Sequence, residues 1–303
     1  MSIIMESNLP LALFGRGKVR DTYDLGDKLL IIATDRISAF DVVLPSGIPD
    51  KGAVLSQLSA FWFKKTSQLV PNHLIRMINS ADSLKQYLPP DVSIPDYIIG
   101  QAMIVHKAKL IPIECVVRGY ISGSAWVEYK QTGTISDMSL PSGLEESQEL
   151  PQLLFTPTTK AESGHDQPLN KLETEDLVGK DVARELEEKS LAIYQYARDY
   201  ARSRGIIIAD TKFEFGFIGN EIVLIDEILT PDSSRFWDIA QYTVGSSQPS
   251  FDKQPVRDWL ADSDWNKQPP APTLPPEVIE ATTRRYREAY QRLTGGTLRN
   301  VSS

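Results

Sequence analysis

The sequence predicts a globular fold that mixes strands and helices, and three observations carry the prediction. Two apolar segments flank Gly26-Asp27 in VRDTYDLGDKLLIIATD, residues 19 to 35, a strand–turn–strand pattern. Between Asp181 and Arg204, the residues Ala183, Leu186, Ser190, Ile193, Tyr194, Ala197 and Ala201 form one stripe at helical spacing, with Gly205 as a stop. A second strand pair is marked by apolar segments on either side of Gly219-Asn220. At 303 residues and 41% hydrophobic content the chain can bury a sizeable core, as one large or two closely packed domains.

After the first hairpin, LSQLSAFWFKKTSQL places Leu55, Leu58, Phe61 and Trp62 on one helical face. The apolar segment from 97 to 124, YIIGQAMIVHKAKLIPIECVVRGYISGS, is long enough to cross between two lobes. Residues 139 to 164 are rich in Pro, Ser and Gly and read as an extended loop or surface excursion. The 181–204 helix then delivers the chain into IIIADTKFEFG, residues 206 to 216. Near the end, QPPAPTLPPE is a stiff proline spacer, and VIEATTRRYREAYQRLTGG is a terminal helix closed by glycine and packed against the body.

Composition excludes several classes. One cysteine, Cys115, rules out an internal disulfide framework and a multi-cysteine zinc site, and it points to a reducing compartment, the cytoplasm. His73, His106 and His165 are too scattered for a metal site. No basic segment followed by a long apolar one opens the chain, and no apolar run approaches the ~20 residues that span a bilayer. Neither export nor membrane insertion is expected. A net charge of −8 argues against nucleic-acid binding, while leaving room for a local basic pocket around a small anion.

Charge is gathered at one place. Asp210, Lys212 and Glu214 alternate along the 206–216 strand and share a face. The next apolar strand also ends in acid, at Asp226-Glu227. Glu214 and Asp226 meet on one side only if residue 214 lies opposite 226, which needs an odd loop or a bulge; a two-residue turn sends them to opposite faces. Together, two ionised carboxylates favour a hard divalent cation such as Mg²⁺, with Lys212 beside it for an anionic group. The alternative is a surface hairpin with solvated charges. GRGKVRD, residues 15 to 21, sets Lys18 and Arg20 beside two glycines at a strand entry, either a phosphate-binding turn or an exposed one. VVRGYISGS, residues 116 to 124, leaves a strand through Arg118 into a loop with Gly119, Gly123 and Ser124, fit to hold a sugar phosphate or simply to turn.

Taken in order, GRGKVRDTYDLGDKLLIIATDRISAFDVVLPSGIPDKG, HKAKLIPIECVVRGYISGSAW, FTPTTKAESGHDQPL, IIIADTKFEFG, IDEILTPDSSRFW and FDKQPVRDWL resemble the phosphoribosylaminoimidazole-succinocarboxamide synthases, or SAICAR synthetases, over nearly the whole chain. The FTPTTKAE insertion and the length resemble the longer single-function form of that family. The resemblance implies an α+β fold in two lobes, similar to protein kinases and ATP-grasp enzymes. Residues 1–110 would form an antiparallel lobe carrying the GRGKVRD loop, over a larger mixed lobe, 111–303, with C-terminal helices and nucleotide in the cleft.

It also implies a reaction. ATP would activate 5-amino-1-(5-phosphoribosyl)imidazole-4-carboxylate (carboxyaminoimidazole ribonucleotide) as an acyl phosphate, and the amine of L-aspartate would displace phosphate. By the same resemblance Lys18 and Arg20 bind the ATP phosphates, while His106, Lys107, Leu110 and Glu114 hold the adenosine. Glu214 and Asp226 carry Mg²⁺. Arg118, Ser124, Arg235 and Arg257 bind the ribose phosphate. Asp210 and Lys212, the catalytic pair, line the reacting end with Asp41, Lys160, Asp166 and Asp232. Two rival readings remain: a kinase-like phosphotransferase, disfavoured by the lack of HRD and DFG motifs, and a nucleotide-binding protein without chemistry. A monomer is expected, since no long apolar stripe is left unassigned.

Overall fold

The computed structural model describes residues 3–160 and 166–298. The chain opens with β1 (Leu13–Arg16), β2 (Arg20–Asp24), β3 (Lys28–Ala33), β4 (Arg36–Ala39) and β5 (Val42–Gly47), followed by helix α1 (Lys51–Thr66). Then come β6 (Leu74–Met77), the short α2 (Ala81–Lys85), β7 (Ala102–His106) and the long β8 (Lys109–Tyr120). Helix α3 (Gly123–Thr132) precedes the short β9 (Thr134–Ile135) and β10 (Met138–Ser139), then β11 (Glu149–Phe155) and β12 (Thr158–Thr159). Helices α4 (Lys171–Val178) and α5 (Lys180–Arg202) lead to β13 (Ile206–Ile218), β14 (Glu221–Ile225) and β15 (Ser234–Asp238), and the chain closes with α6 (Gln254–Ala261) and α7 (Pro276–Thr294).

Two antiparallel sheets organise these elements, in the α+β class the sequence predicts. The first runs β1-β2-β3-β7-β6; the second runs β11-β8-β13-β14, with β12 also on β8 and β15 also on β13. The chain passes from one sheet to the other between His106 and Lys109, inside the segment expected to cross between lobes. β13 is the central strand of the second sheet because its first half pairs with β15, its second half with β14, and β8 lies along its other edge.

The core follows from the apolar stripes. The buried residues of α5 are the seven of the sequence stripe, and five of them, Leu186, Ile193, Tyr194, Ala197 and Ala201, pack with Phe213, Phe215, Ile206 and Ile208 of β13. Trp62 and Leu58 of α1 and Tyr286 and Leu293 of α7 join the same cluster. A second cluster, with Tyr23, Leu30, Ile32 and Ile104, lies under the first sheet. The β4–β5 hairpin packs on the C-terminal helices through Ile37, Leu44, Val256 and Val278. Leu274 anchors the proline spacer there, its N–H donating to Ser46 Oγ at 2.8 Å. Gly52 is required where α1 starts: a Cβ there would lie 2.2 Å from the Ala33 carbonyl oxygen.

Residues 139–160, the described part of the stretch read as an extended loop or surface excursion, depart from that expectation. Instead of a plain loop they contribute β11 and β12 to the free edge of β8. Pro151 falls in the irregular stretch between the paired residues Glu149 and Leu154, where no ladder donor is needed. The composition hid a strand because its partner edge is a tertiary feature.

Candidate active site

The glycine loop is a tight turn between β1 and β2, closed by the Gly17 N–H donating to the Arg20 carbonyl at 2.8 Å. Behind it stands Arg36. Its guanidinium donates to the carbonyls of Lys18 (3.0 Å) and Gly17 (2.9 Å) and to Asp21 Oδ1 (2.8 Å). Asp21, fully buried, also accepts from the Ser7 N–H and hydroxyl at 2.7 and 2.8 Å. Arg36 therefore pairs with Asp21, not with Asp35, its neighbour in sequence; Asp35 accepts the N–H groups of Ile4 and Gly52. With its backbone clamped, the loop aims its side chains outward. Lys18 reaches Asp41 at the β4–β5 turn, and Arg20 forks onto Asp226 with one contact at 2.7 Å.

The β13–β14 turn has two residues, so the expected odd loop or bulge is absent. Ile218 pairs with Glu221, and Glu214 lies opposite Ile225. Strict alternation would then send Asp226 away from Glu214. Asp226 instead leaves the strand in the left-handed region, φ 67°, a conformation that Asp tolerates better than most residues. The two carboxylates share one cationic neighbourhood: Lys160 bonds Glu214 and its field acts on Asp226, while Arg20 bonds Asp226 and feels Glu214. Burial opposes ionisation of Asp226, but Arg20 and Lys160 outweigh it and hold the carboxyl below its usual range.

Beside this pair, Glu114 of β8 lies opposite Glu214 of β13. Two facing carboxylates repel, and Lys212 compensates by bonding Glu114 and standing 3.8 Å from Glu214. Burial raises the Glu114 carboxyl, partly offset by Lys212. For Lys212 burial disfavours the charge, yet Glu114 and Glu214 raise its pKa and keep it an ammonium. Glu114 thus belongs to the charged ladder as well as to the lobe crossing. His106 and Leu110 of that crossing are exposed, and Lys107 lies 4.9 Å above the Phe14 ring while pairing with Asp24 at 2.7 Å.

At the far end of the ladder, Asp210 lies between two guanidinium groups, Arg118 at 3.2 Å and Arg235. Arg235 and Arg257 line a cavity of about 130 Å³ with Ser122, Gly123, Ser250 and Asp252. Ser122 Oγ is buried there with no hydrogen-bond partner, at the N-terminus of α3. Gly123 has φ +58°, and a Cβ on it would meet the Arg235 guanidinium at 2.4 Å. Ser124 is exposed and outside that lining, so of these two serines it is Ser122 that lines the cavity. A larger cavity of about 460 Å³, between α4, α5 and Phe155, contains none of the ladder residues.

Asp232 is nearly buried and saturated: Lys51 Nζ donates to it at 2.7 Å, and so does the Tyr286 hydroxyl. Asp166 is close enough to Glu114 for its charge to act on that carboxyl. The TKAESGHD motif otherwise falls on 161–165, outside the described residues. Sequence reasoning missed Arg36 as the clamp of the loop, Ser122, and Lys51, a fully buried lysine at the start of α1. A lysine following Pro-Asp carries no pattern that announces burial.

Ion pairs therefore link the carboxylate–lysine ladder of β13 to Arg235 of the cationic cavity, while Arg20 of the glycine loop bonds Asp226 just beyond β14. The sequence pattern of SAICAR synthetase matches residues 13–272. The chain belongs to the SAICAR synthetase family. Among curated SAICAR synthetases, the phosphoribosylaminoimidazole-succinocarboxamide synthase of Thermodesulfovibrio yellowstonii is 50% identical over 294 residues, covering 97% of this chain and 99% of that protein. The enzyme of the same name from Geobacter sulfurreducens is 50% identical over 295 residues, covering 97% and 98%. Among solved structures, SAICAR-synthase from Saccharomyces cerevisiae, complexed with SAICAR, superposes with a TM-score of 0.89 at 47% identity, covering 97% of this chain and 99% of the other. A more distant SAICAR synthetase, a Type-2 structure in complex with ADP, superposes with a TM-score of 0.68 at 26% identity over 94% of this chain and 98% of the other.

Proposed function

We propose that this protein is an ATP-dependent carbon–nitrogen ligase. It joins the amine of L-aspartate to the carboxyl group of 5-amino-1-(5-phosphoribosyl)imidazole-4-carboxylate, giving SAICAR, ADP and phosphate in purine biosynthesis. The observation that carries the reading is the face of β13, where Asp210 meets Arg118 and, from the phosphate-sized cavity, Arg235, Lys212 meets Glu114, and Glu214 meets Lys160, with Arg20 of the glycine loop on neighbouring Asp226.

The chemistry explains why such a face is needed. A carboxylate is anionic and has no leaving group, so an amine does not displace anything from it at neutral pH. Transfer of the γ-phosphoryl group makes an acyl phosphate; the amine then attacks the acyl carbon, the C–O bond to phosphate breaks, and the ammonium proton is lost to solvent or a neighbouring base. Phosphoryl transfer depends on positioning and charge neutralisation more than on covalent help. Lys18 and Arg20 would hold the ATP phosphates at the loop, exchanging Asp41 and Asp226 for phosphate oxygens. Lys212 and Asp210 would align the transferring group with the imidazole carboxylate. Arg235, Arg257, Ser122 and the N-terminus of α3 would take the ribose phosphate, with Arg118 steadying Asp210 from behind.

The residues also fit Mg²⁺. No group of three or more His, Cys, Asp or Glu side chains is placed to hold a metal among the described residues. Mg²⁺ is commonly held by one or two carboxylates, with water and substrate phosphates completing six oxygens, and Glu214 and Asp226 would supply the protein's share. Bound there, it would neutralise charge on the triphosphate. The single buried thiol of Cys115 suits the cytoplasm, and we read the protein as a monomer.

The test is product formation from ATP, Mg²⁺, L-aspartate and the imidazole nucleotide, with each component omitted in turn. Product that requires all four is expected. ADP formed without aspartate would favour the phosphotransferase reading, and nucleotide bound without turnover would favour a binding protein.

A further inference from the structure

Between β14 and β15 the chain crosses in an arch, residues 226–233, that touches the charged ladder at both ends. Asp226, paired with Arg20, opens it. At its other end the Ser233 carbonyl accepts the Lys212 N–H at 2.9 Å, and just beyond it the hydroxyls of Ser234 and Thr211 share a hydrogen bond of 2.8 Å while Arg235 bonds Asp210. Whatever fixes this arch therefore fixes Asp226, Lys212 and Arg235 against one another.

The arch is strained. Asp226 and Leu229 both lie in the left-handed region, at φ 67° and 52°, and neither is a glycine. Such residues cost free energy and persist only where their surroundings hold them. Local bonds close the turn on itself: Thr230 Oγ1 accepts the N–H groups of Asp232 and Ser233 at 3.2 and 3.3 Å, and Ser233 Oγ accepts the Thr230 N–H at 3.1 Å. The Ile228 N–H reaches Ser59 Oγ of α1 only at 3.4 Å, a long contact. The strong outside tie is Asp232. Lys51 Nζ, at the start of α1, donates to one of its oxygens at 2.7 Å, and the Tyr286 hydroxyl of α7 donates to the other. Both donors are fully buried, so the two helices grip the arch out of reach of solvent, where a bond to a charged group is strongest.

We propose that Lys51 and Tyr286 are positioning residues: acting through Asp232, they hold the strained arch so that Asp226, Lys212 and Arg235 keep the spacing the reaction needs, a role that rests on the ligase reading above. Tyr286→Phe removes one hydroxyl and little else. It is assayed with each substrate varied in turn, beside Arg287→Ala, which breaks the neighbouring contact of α7 with Asp50 at the start of α1 and leaves the bonds to Asp232 in place. For Tyr286→Phe, kcat is expected to fall about tenfold, the size of one hydrogen bond to a charged group, with the KM values for ATP, the imidazole nucleotide and aspartate each changed less than about threefold. For Arg287→Ala, the melting temperature is expected to fall while kcat per folded molecule holds. Lys51→Gln, which breaks the other bond to Asp232, is scored by the same split of kcat against KM should Tyr286→Phe fold poorly. Wild-type kcat in folded Tyr286→Phe, an equal fall of kcat in Arg287→Ala, or a change confined to one KM would overturn the assignment while leaving the ligase reading in place. A wild type that makes no product from all four components would overturn both.

Discussion

Asp21 and Asp226 both receive guanidinium groups, and their surroundings differ. Asp21 is enclosed within the first sheet, where Ser7, Arg16 and Arg36 satisfy its oxygens and no solvent reaches it. Asp226 bonds Arg20 across the cleft, both side chains remain about one-fifth exposed, and the backbone beneath it is in the left-handed region. The first cluster is closed and holds the glycine loop in shape. The second is a pair that phosphate and metal can take apart. Charge that stabilises and charge that works are told apart by whether every lone pair is already used within one lobe.

The comparison breaks first at Asp226. Asp226→Asn is expected to lower kcat about 10²- to 10³-fold, the cost of removing a preorganised electrostatic group, while thermal unfolding stays within a few degrees. Wild-type turnover in that variant would remove Asp226 from the site. Asp21→Asn is expected to do the reverse. It strands Arg36 and Arg16 beside a neutral group, which costs about 3–5 kcal/mol as for other broken buried pairs, read from the denaturant midpoint, with kcat per folded molecule largely kept.

A smaller effect separates substrates. Arg118→Ala is expected to raise the KM for the imidazole nucleotide about tenfold, through loss of the charge-assisted contact that holds Asp210 beside Arg235, and that for ATP much less; an equal rise in both would contradict its role on the sugar-phosphate side.

Acid sharpens the contrast further. Burial works against ionised Asp21, but Arg36 and Ser7 outweigh it and hold its folded carboxyl below the ordinary aspartate range. A lowered carboxyl stabilises the fold above its unfolded value, and that contribution is lost as pH falls through the folded value. Melting curves of the wild type should thus fall steeply at the acid end, and the Asp21→Asn curve should be flatter there. The least effect belongs to Asp41→Asn. Both partners of the Lys18–Asp41 pair are 54% exposed, and such pairs contribute under about 1 kcal/mol, so stability should barely move.

Much of this was legible in the residues. The α5 stripe, the Gly26-Asp27 and Gly219-Asn220 turns and the terminal helix are local patterns whose period or turn chemistry needs no partner. The ladder of Asp210, Lys212 and Glu214 was visible for the same reason, since alternation on a strand is a property of the backbone. That Ser122 lines the cavity and Ser124, two residues along, does not was hidden, because only the start of α3 decides it. The strand at Glu149–Phe155 was hidden because pairing to an edge is invisible until the edge exists.

The sequence by itself determined the element types, the charged face of β13 and, through its long ordered motifs, the family. Tertiary structure alone decided how the charges meet. It turned Asp226 through a left-handed residue to offset the even register of its hairpin. It brought Arg20 to Asp226 and Lys51 to Asp232 across most of the chain. The physical reason is range: propensity and periodicity act over a few residues, whereas the pairing of buried charges depends on which surfaces the core brings within a few ångströms.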